Sequence, residues 1–194
     1  MAFKYDLDYI INFGIELLKT PSPTGDTKKA VKFVKDELEK YYPCEYTRKG
    51  ALLCKIEGEN KDDALLLSAH VDTLGAMVKE LKPNGRLKMS MLGGYSWATV
   101  EGLEVTIPTE DGKEYTGTIM TTAASSHVNG GLTQSIERND KNLEIRVDEV
   151  VKSKEDLEKL GIQVGDFVYY NTGTRLCNSG YLKSRHLDDK ACVM

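Results

Sequence analysis

The spacing of hydrophobic residues predicts two helices at the start of the chain. Apolar residues between Leu7 and Leu18 follow a helical stripe, which the prolines and glycine of the TPSPTGD stretch then end. Asp26 or Thr27 can cap a second helix, whose apolar positions repeat at helical spacing over residues 31–38. We therefore expect a helical pair before any strand.

Two β-type segments follow these helices. GALLCKIEG, at residues 50–58, is short and rich in strand-forming residues, and ALLLSAH, at 64–70, is apolar at consecutive positions. Continuous rather than alternating hydrophobicity is typical of a strand that is covered on both faces, as in a parallel α/β sheet. We expect residues 64–70 to form such a strand.

The pattern changes from residue 74 to residue 170, where glycines and turn signals separate short β-type runs. PNG at 83–85 and EDG at 110–112 have the composition of hairpin turns. Ser153, followed three residues later by Asp156, predicts the start of one short helix. The six β-type runs, which favour a small barrel or sandwich, are GAMVKEL, LKMSML, LEVTIP, EYTGTIM, LEIRVDEV and GDFVYYN.

The final stretch, SGYLKSRHLDDKACVM, has the pattern of a turn that enters a helix. The predicted organisation is therefore an α/β core, residues 1–73, that is interrupted by an inserted all-β domain at 74–170 and resumes at 171–194. The fold class is α/β with an inserted small all-β barrel.

Composition then excludes several classes of function. The 194 residues carry a net charge of −4, with 29% charged residues of both signs and no basic stripe, so neither nucleic acid nor a membrane surface is an expected partner. The first ten residues have no apolar signal-peptide core, and no apolar run approaches the ~18 residues of a spanning helix. The four cysteines are scattered, so we expect reduced thiols in the cytoplasm, with Cys192 as half-buried core filler.

His70 and Asp72 are the first residues that could carry chemistry. Residues two apart on a strand point to the same side, so the two side chains can converge at the carboxyl end of the strand predicted at 64–70. A carboxylate beside a metal-bound imidazole fixes its tautomer and raises its basicity. The alternative is a strand-end histidine with an incidental acidic neighbour.

Asp188 and Asp189 form the second candidate. Adjacent carboxylates repel unless they are solvated, hydrogen-bonded or shared with a cation, and one carboxylate can bridge two divalent ions. Alternatively, Asp188 caps the final helix and Asp189 stabilises its N-terminus. His186 lies in a predicted loop, where we expect it to be exposed to solvent.

The chain resembles the glutamyl aminopeptidase and tetrahedral aminopeptidase family of co-catalytic metallopeptidases. Four stretches carry the resemblance over essentially the whole chain, of which the third is long and specific. They are, in order, LLKTPSPTGDT, SAHVDTLGAMV, VDEVVKSKEDLEKLGIQVGDFV and LKSRHLDDKACV.

The resemblance implies a phosphorylase/hydrolase-like α/β core that holds two divalent ions, with zinc expected and cobalt or manganese as alternatives. His70 would be a metal ligand, Asp72 the catalytic acid that orients it, and Asp188 the carboxylate that bridges both metals. Asp189 would lie beside the site, joined to Asp188 by an unusual cis peptide bond. The implied activity is hydrolysis of peptides from their N-terminus by a cytoplasmic homo-oligomer.

The chain departs from the family pattern because the remaining ligands and the general-base glutamate would lie after Met194. We therefore expect a fragment, a truncated frame or one half of a split enzyme that is inactive alone and pairs with a complementary C-terminal chain. Two other interpretations stay open. One is a related dimetal carboxypeptidase or deacylase, which shares the HxDT pattern, and the other is a non-catalytic oligomerising or peptide-binding module.

Overall fold

The computed structural model of the protein describes residues 4–60 and 62–194, which form two units with separate cores. One unit comprises the chain up to Thr73 together with Thr172–Met194, and the other comprises Leu74–Asn171. The helices are α1 (Leu7–Lys19), α2 (Lys28–Leu38), α3 (Ser126–Asn129), α4 (Leu132–Ser135), α5 (Lys154–Lys159) and α6 (Leu187–Val193). The strands are β1 (Cys44–Tyr46), β2 (Leu52–Cys54), β3 (Gly75–Leu81), β4 (Arg86–Leu92), β5 (Glu104–Pro108), β6 (Glu114–Thr121), β7 (Leu143–Val147), β8 (Phe167–Tyr170), β9 (Arg175–Leu176) and β10 (Leu182–Lys183).

Helices α1 and α2 confirm the prediction of a helical pair. The carboxylate of Asp6 caps α1 by accepting a hydrogen bond of 2.9 Å from the backbone N–H of Tyr9. Thr27 stands at the cap of α2, although its side chain makes no capping hydrogen bond. Leu17, Ala30 and other apolar residues of the two helices form the core of this unit.

The second unit is a closed antiparallel barrel with the strand order β3-β4-β7-β6-β5-β8. Each of the six β-type runs identified in the sequence supplies one of its strands, so the predicted all-β barrel is confirmed. Burial alternates along β6, because successive side chains point into and out of the barrel. The turn between β3 and β4 contains Gly85 at φ +73°, a left-handed conformation that glycine adopts without steric cost. Ser153 caps α5 as predicted, accepting a hydrogen bond from the backbone N–H of Asp156.

The prediction of a strand at residues 64–70 is wrong. These residues have no strand assignment, and Leu65, Leu66 and Leu67 are 85%, 77% and 85% exposed. A strand forms only where neighbouring strands complete its backbone hydrogen bonds and other elements cover its faces. Among the described residues, the strands of this unit pair only as β1 with β2 and β9 with β10, so the apolar run stays uncovered on both sides.

The expectation of four reduced thiols is also wrong. Cys44 and Cys54 form a disulfide across β1 and β2. They occupy directly opposite positions in the antiparallel register, 4.4 Å apart at Cα, a proximity that their spacing in sequence does not reveal. Cys177 and Cys192 are free, and Cys192 is exposed rather than half-buried filler.

The helices of this protein are short. The longest, α1, has 13 residues. Across the part of the chain that the structure describes, none is long and apolar enough to cross a membrane.

Candidate metal centre

His70 and Asp72 contact each other through the Nδ1 side of the imidazole. Nδ1 lies 2.9 Å from Oδ1 of Asp72 and 3.2 Å from the backbone oxygen of the same residue. The first of these distances suits a strong hydrogen bond between an imidazole N–H and a carboxylate. With the proton on Nδ1, the lone pair of a neutral His70 is on Nε2, which is the atom left to bind a ligand.

The Nε2 atom of His70 faces Asp188, which is distant in sequence. Nε2 and Oδ1 of Asp188 are 3.2 Å apart. The Asp188 side chain is otherwise open, with 95% of its surface accessible to solvent. Folding therefore brings His70, Asp72 and Asp188 together in one row.

Two carboxylates determine the electrostatics of His70. Partial burial lowers the pKa of His70, but the charge and hydrogen bonds of Asp72, with a further hydrogen bond to Asp188, outweigh it and raise the pKa above its usual value. A neutral imidazole with its lone pair facing a carboxylate is unfavourable. A proton or another cation between Nε2 and Oδ1 relieves this repulsion.

Asp189 lies on the other side of this row. Its Oδ2 accepts a hydrogen bond of 3.4 Å from the backbone N–H of His70. A hydrogen bond from the Cys192 thiol lowers the pKa of Asp189; burial opposes this effect, and the backbone N–H and charge of His70 add to it. The peptide bond between Asp188 and Asp189 is cis, as the resemblance implies. Both aspartates thus contact His70, one at its ring and one at its backbone.

The turn after α1 holds the His70–Asp72 segment in place. Oγ of Ser22 donates a hydrogen bond of 2.6 Å to the backbone oxygen of Val71, and Oγ1 of Thr24 donates one of 2.7 Å to Oδ2 of Asp72. Sequence analysis did not single out these hydroxyls. They lie within the TPSPTGD stretch, so their position in a stretch shared with the family was the only available signal.

Lys190 was also missed by sequence analysis. It is fully buried, and its Nζ donates hydrogen bonds of 2.9 Å to the backbone oxygen of Leu17 and 2.7 Å to that of Thr20. Burial lowers the pKa of Lys190 to about 8. These bonds connect α6, whose first turn contains the two aspartates, to the end of α1.

His186 is not solvent-exposed, which corrects the prediction. It is half-buried just before α6, with a backbone φ of +67°. Burial lowers its pKa to about 4, with additional contributions from the positive charges of Lys190 and Arg185. It therefore lies beside the candidate site as a neutral imidazole.

The His70–Asp188 pair is compatible with a shared metal ion. Two donors of one tetrahedral zinc, each about 2.1 Å from the ion, lie roughly 3.3–3.5 Å apart. The observed 3.2 Å between Nε2 and Oδ1 is close to that range. Within residues 4–60 and 62–194, however, no group of three or more His, Cys, Asp or Glu side chains is arranged to hold a metal ion. The described residues therefore do not provide a full set of metal ligands by themselves.

A sequence model of the M42 glutamyl aminopeptidase family matches residues 50–194, well over half of the chain. The chain belongs to this family. The match favours this family of peptidases over the dimetal carboxypeptidases and deacylases that share the HxDT pattern.

A curated relative agrees with this assignment. The Bacillus subtilis (strain 168) protein named "Putative aminopeptidase YhfE" is 46% identical over 180 residues, which cover 92% of this chain and 51% of that protein. The chain therefore spans about half the length of this relative.

Solved structures show the same fold. Aminopeptidase APDkam598 from the archaeon Desulfurococcus kamchatkensis aligns with a TM-score of 0.82 at 22% identity, over 96% of this chain and 50% of its own. The TET1 peptidase of Pyrococcus horikoshii aligns with a TM-score of 0.78 at 22% identity, over 95% of this chain and 53% of its own. That peptidase is described as assembling into a tetrahedron or a large octahedral shell.

Proposed function

We propose that this M42 chain supplies part of a two-metal aminopeptidase site, on a phosphorylase/hydrolase-like core, that removes N-terminal residues from peptides. The observation that supports the proposal is the 3.2 Å approach of Nε2 of His70 to Oδ1 of Asp188, two residues from distant parts of the sequence. Family membership supports the peptidase class. We infer metal dependence from the donor chemistry of these two residues.

Each site residue has a distinct role in this proposal. His70 would bind one divalent ion through Nε2, and Asp188 would bridge two ions through its exposed carboxylate. Asp72 accepts a hydrogen bond from Nδ1–H, which keeps the His70 lone pair on Nε2 and raises the basicity of the ring. A bound metal pair supplies an acidified water and a Lewis acid for the substrate carbonyl.

Activity would require donors beyond those of the described residues, because zinc normally has at least three protein ligands at a catalytic site. We propose that the part of the relatives that this sequence does not match supplies the further donors and completes the site. An apolar surface on which a neighbouring strand can pack is formed by the exposed side chains of Leu65, Leu66 and Leu67.

Three further properties belong to the proposal. Zinc is the expected metal, with cobalt or manganese as alternatives, because histidine and carboxylate ligands do not select sharply among them. A homo-oligomer is proposed from the multimeric assembly of the TET1 peptidase. The cytoplasmic location stays a prediction from the sequence.

Zinc binding tests the site directly. Titration of Zn²⁺ into the chain by calorimetry should show one weak site that is lost in His70→Ala and in Asp188→Asn. The matched control is His127→Ala, because His127 is an exposed histidine in the barrel unit and should not affect binding. Equal binding by wild type and His70→Ala would refute the assignment.

Negligible zinc binding by wild type and all variants would instead favour the non-catalytic oligomerising or peptide-binding module. A complementation assay then tests the peptidase. The chain alone should not hydrolyse an aminoacyl-p-nitroanilide, whereas addition of the polypeptide equivalent to the unmatched half of YhfE should restore turnover. Replacing Leu66 by Glu should weaken that rescue, since a buried charge would oppose strand packing.

A further inference from the structure

The turn at the end of α1, residues 17–24, which includes the last residues of the helix, runs beside the residues that flank Asp72. The backbone N–H of Thr73 donates a hydrogen bond of 2.8 Å to the oxygen of Ser22, and the N–H of Thr24 donates one of 3.1 Å to the oxygen of Thr73. Pro23 and Thr73 form a parallel bridge. Ser22 and Thr73 are buried. The backbone around Asp72 is therefore fixed to this turn.

Thr24 then acts on the Asp72 side chain itself. Its Oγ1 lies 2.7 Å from Oδ2 of Asp72, while the other carboxylate oxygen, Oδ1, lies 2.9 Å from Nδ1 of His70. The terminal torsion of an aspartate is broad, so a carboxylate held at one oxygen can still rotate. Contacts at both oxygens restrict this rotation and direct Oδ1 towards the imidazole.

The same turn is also bound from the opposite side of the candidate site. The buried Lys190 donates its two hydrogen bonds to the backbone oxygens of Leu17 and Thr20, at the C-terminal end of α1, where the helix dipole favours a positive charge. Lys190 directly follows Asp189 in the chain. The turn thus contacts both sequence stretches that form the His70–Asp188 pair, and it is a shared scaffold rather than an isolated loop.

We infer that Thr24 is a positioning residue of the metal centre, which acts through Asp72 to hold His70 with its proton on Nδ1 and its Nε2 towards Asp188. This inference rests on the proposed function for its role in metal binding. The geometric effect on His70 is independent of any metal.

The test compares Thr24→Val with the conservative variant Thr24→Ser, which keeps the hydroxyl. Thr27→Val is the matched control, because the Thr27 side chain makes no capping hydrogen bond at the start of α2. The first readout is the tautomer of His70 in the metal-free protein, measured by ¹⁵N NMR at a pH where the ring is neutral. The second readout is the affinity for Zn²⁺ by calorimetry.

We expect Thr24→Val to reduce the Nδ1–H fraction of His70 and to weaken zinc binding about tenfold, the lower end of the effect of removing a partner of a metal ligand. Thr24→Ser should restore both values, and Thr27→Val should change neither. In an Asp72→Asn background, Thr24→Val should have no further effect, because the carboxylate through which Thr24 acts on His70 is already absent.

The inference is overturned if Thr24→Val leaves the tautomer of His70 unchanged, or if its effect persists in full in the Asp72→Asn background. A wild-type chain that binds no zinc would contradict the proposed function. The tautomer measurement would still decide the role of Thr24, so the two failures are distinguishable.

Discussion

Reduction of the Cys44–Cys54 disulfide should destabilise the helical unit of this protein. The bond closes a loop with a sequence separation of 10 residues. The loop-closure entropy that it removes from the unfolded chain corresponds to about 2.7 kcal/mol at 25 °C, or roughly a 100-fold change in the unfolding equilibrium constant. We expect most of this effect in the unit that contains α1 and α2.

Urea denaturation with and without a reductant measures the effect with two probes. Far-UV circular dichroism reports mainly α1 and α2, the two longest helices. Fluorescence of Trp97, the single tryptophan, reports the barrel unit and serves as an internal control. Reductant should shift the circular dichroism transition to lower urea and shift the fluorescence transition less.

Thiol counting provides the decisive control. Alkylation of the unfolded chain without reductant should label two cysteines, Cys177 and Cys192, and four after reduction. The variant with both Cys44 and Cys54 replaced by Ala should not respond to reductant. Labelling of all four cysteines in the oxidised sample would show that the disulfide is absent, and an equal stability with and without reductant would show that it does not stabilise this unit.

Three further predictions concern the barrel unit. Leu87→Ala should lower its unfolding free energy by about 2–5 kcal/mol, because the side chain is fully buried; a loss below that range in urea denaturation would contradict the assigned core. Ser153→Ala should cost about 1 kcal/mol by removing the cap of α5, and an unchanged urea midpoint would exclude that role. Hydrogen bonds from Lys113 and then Thr109 lower the pKa of Asp111 to about 2, so its contribution to stability is complete above about pH 4 and is lost as the pH falls towards 2. Asp111→Asn should flatten the pH dependence of the melting temperature in that interval, and a wild-type-like profile would contradict this account.

The barrel could be predicted from the sequence because the signals for its strands and turns lie in short, continuous stretches of the chain. Each strand from β3 to β8 is an apolar run bounded by turn residues, and consecutive hairpins such as β3–β4 pair neighbours in sequence. The closed order, in which β7 lies between β4 and β6, required the structure. Alternation identifies which residues face the core but does not say which strand edges meet.

The segment at 64–70 shows where local pattern fails. Its three consecutive leucines have the composition of a buried strand, yet they are exposed in the structure. Whether such a run becomes a strand depends on partners for its backbone and cover for its faces, which are properties of the surroundings. The prediction of reduced cysteines failed for the same reason, because only the register of β1 against β2 places Cys44 opposite Cys54.

The two N-terminal helices, the strands of the barrel and the residues that could bind a metal were predictable from the chain alone, because residue spacing and side-chain chemistry are local properties. Which of these residues contact each other could be read only from the folded chain. Three features depend on residues that are far apart in sequence. They are the contact of His70 with Asp188, the hydrogen bond from the Thr24 hydroxyl to Asp72, and the burial of Lys190. Such contacts depend on how the chain folds back on itself, which local residue propensities do not predict.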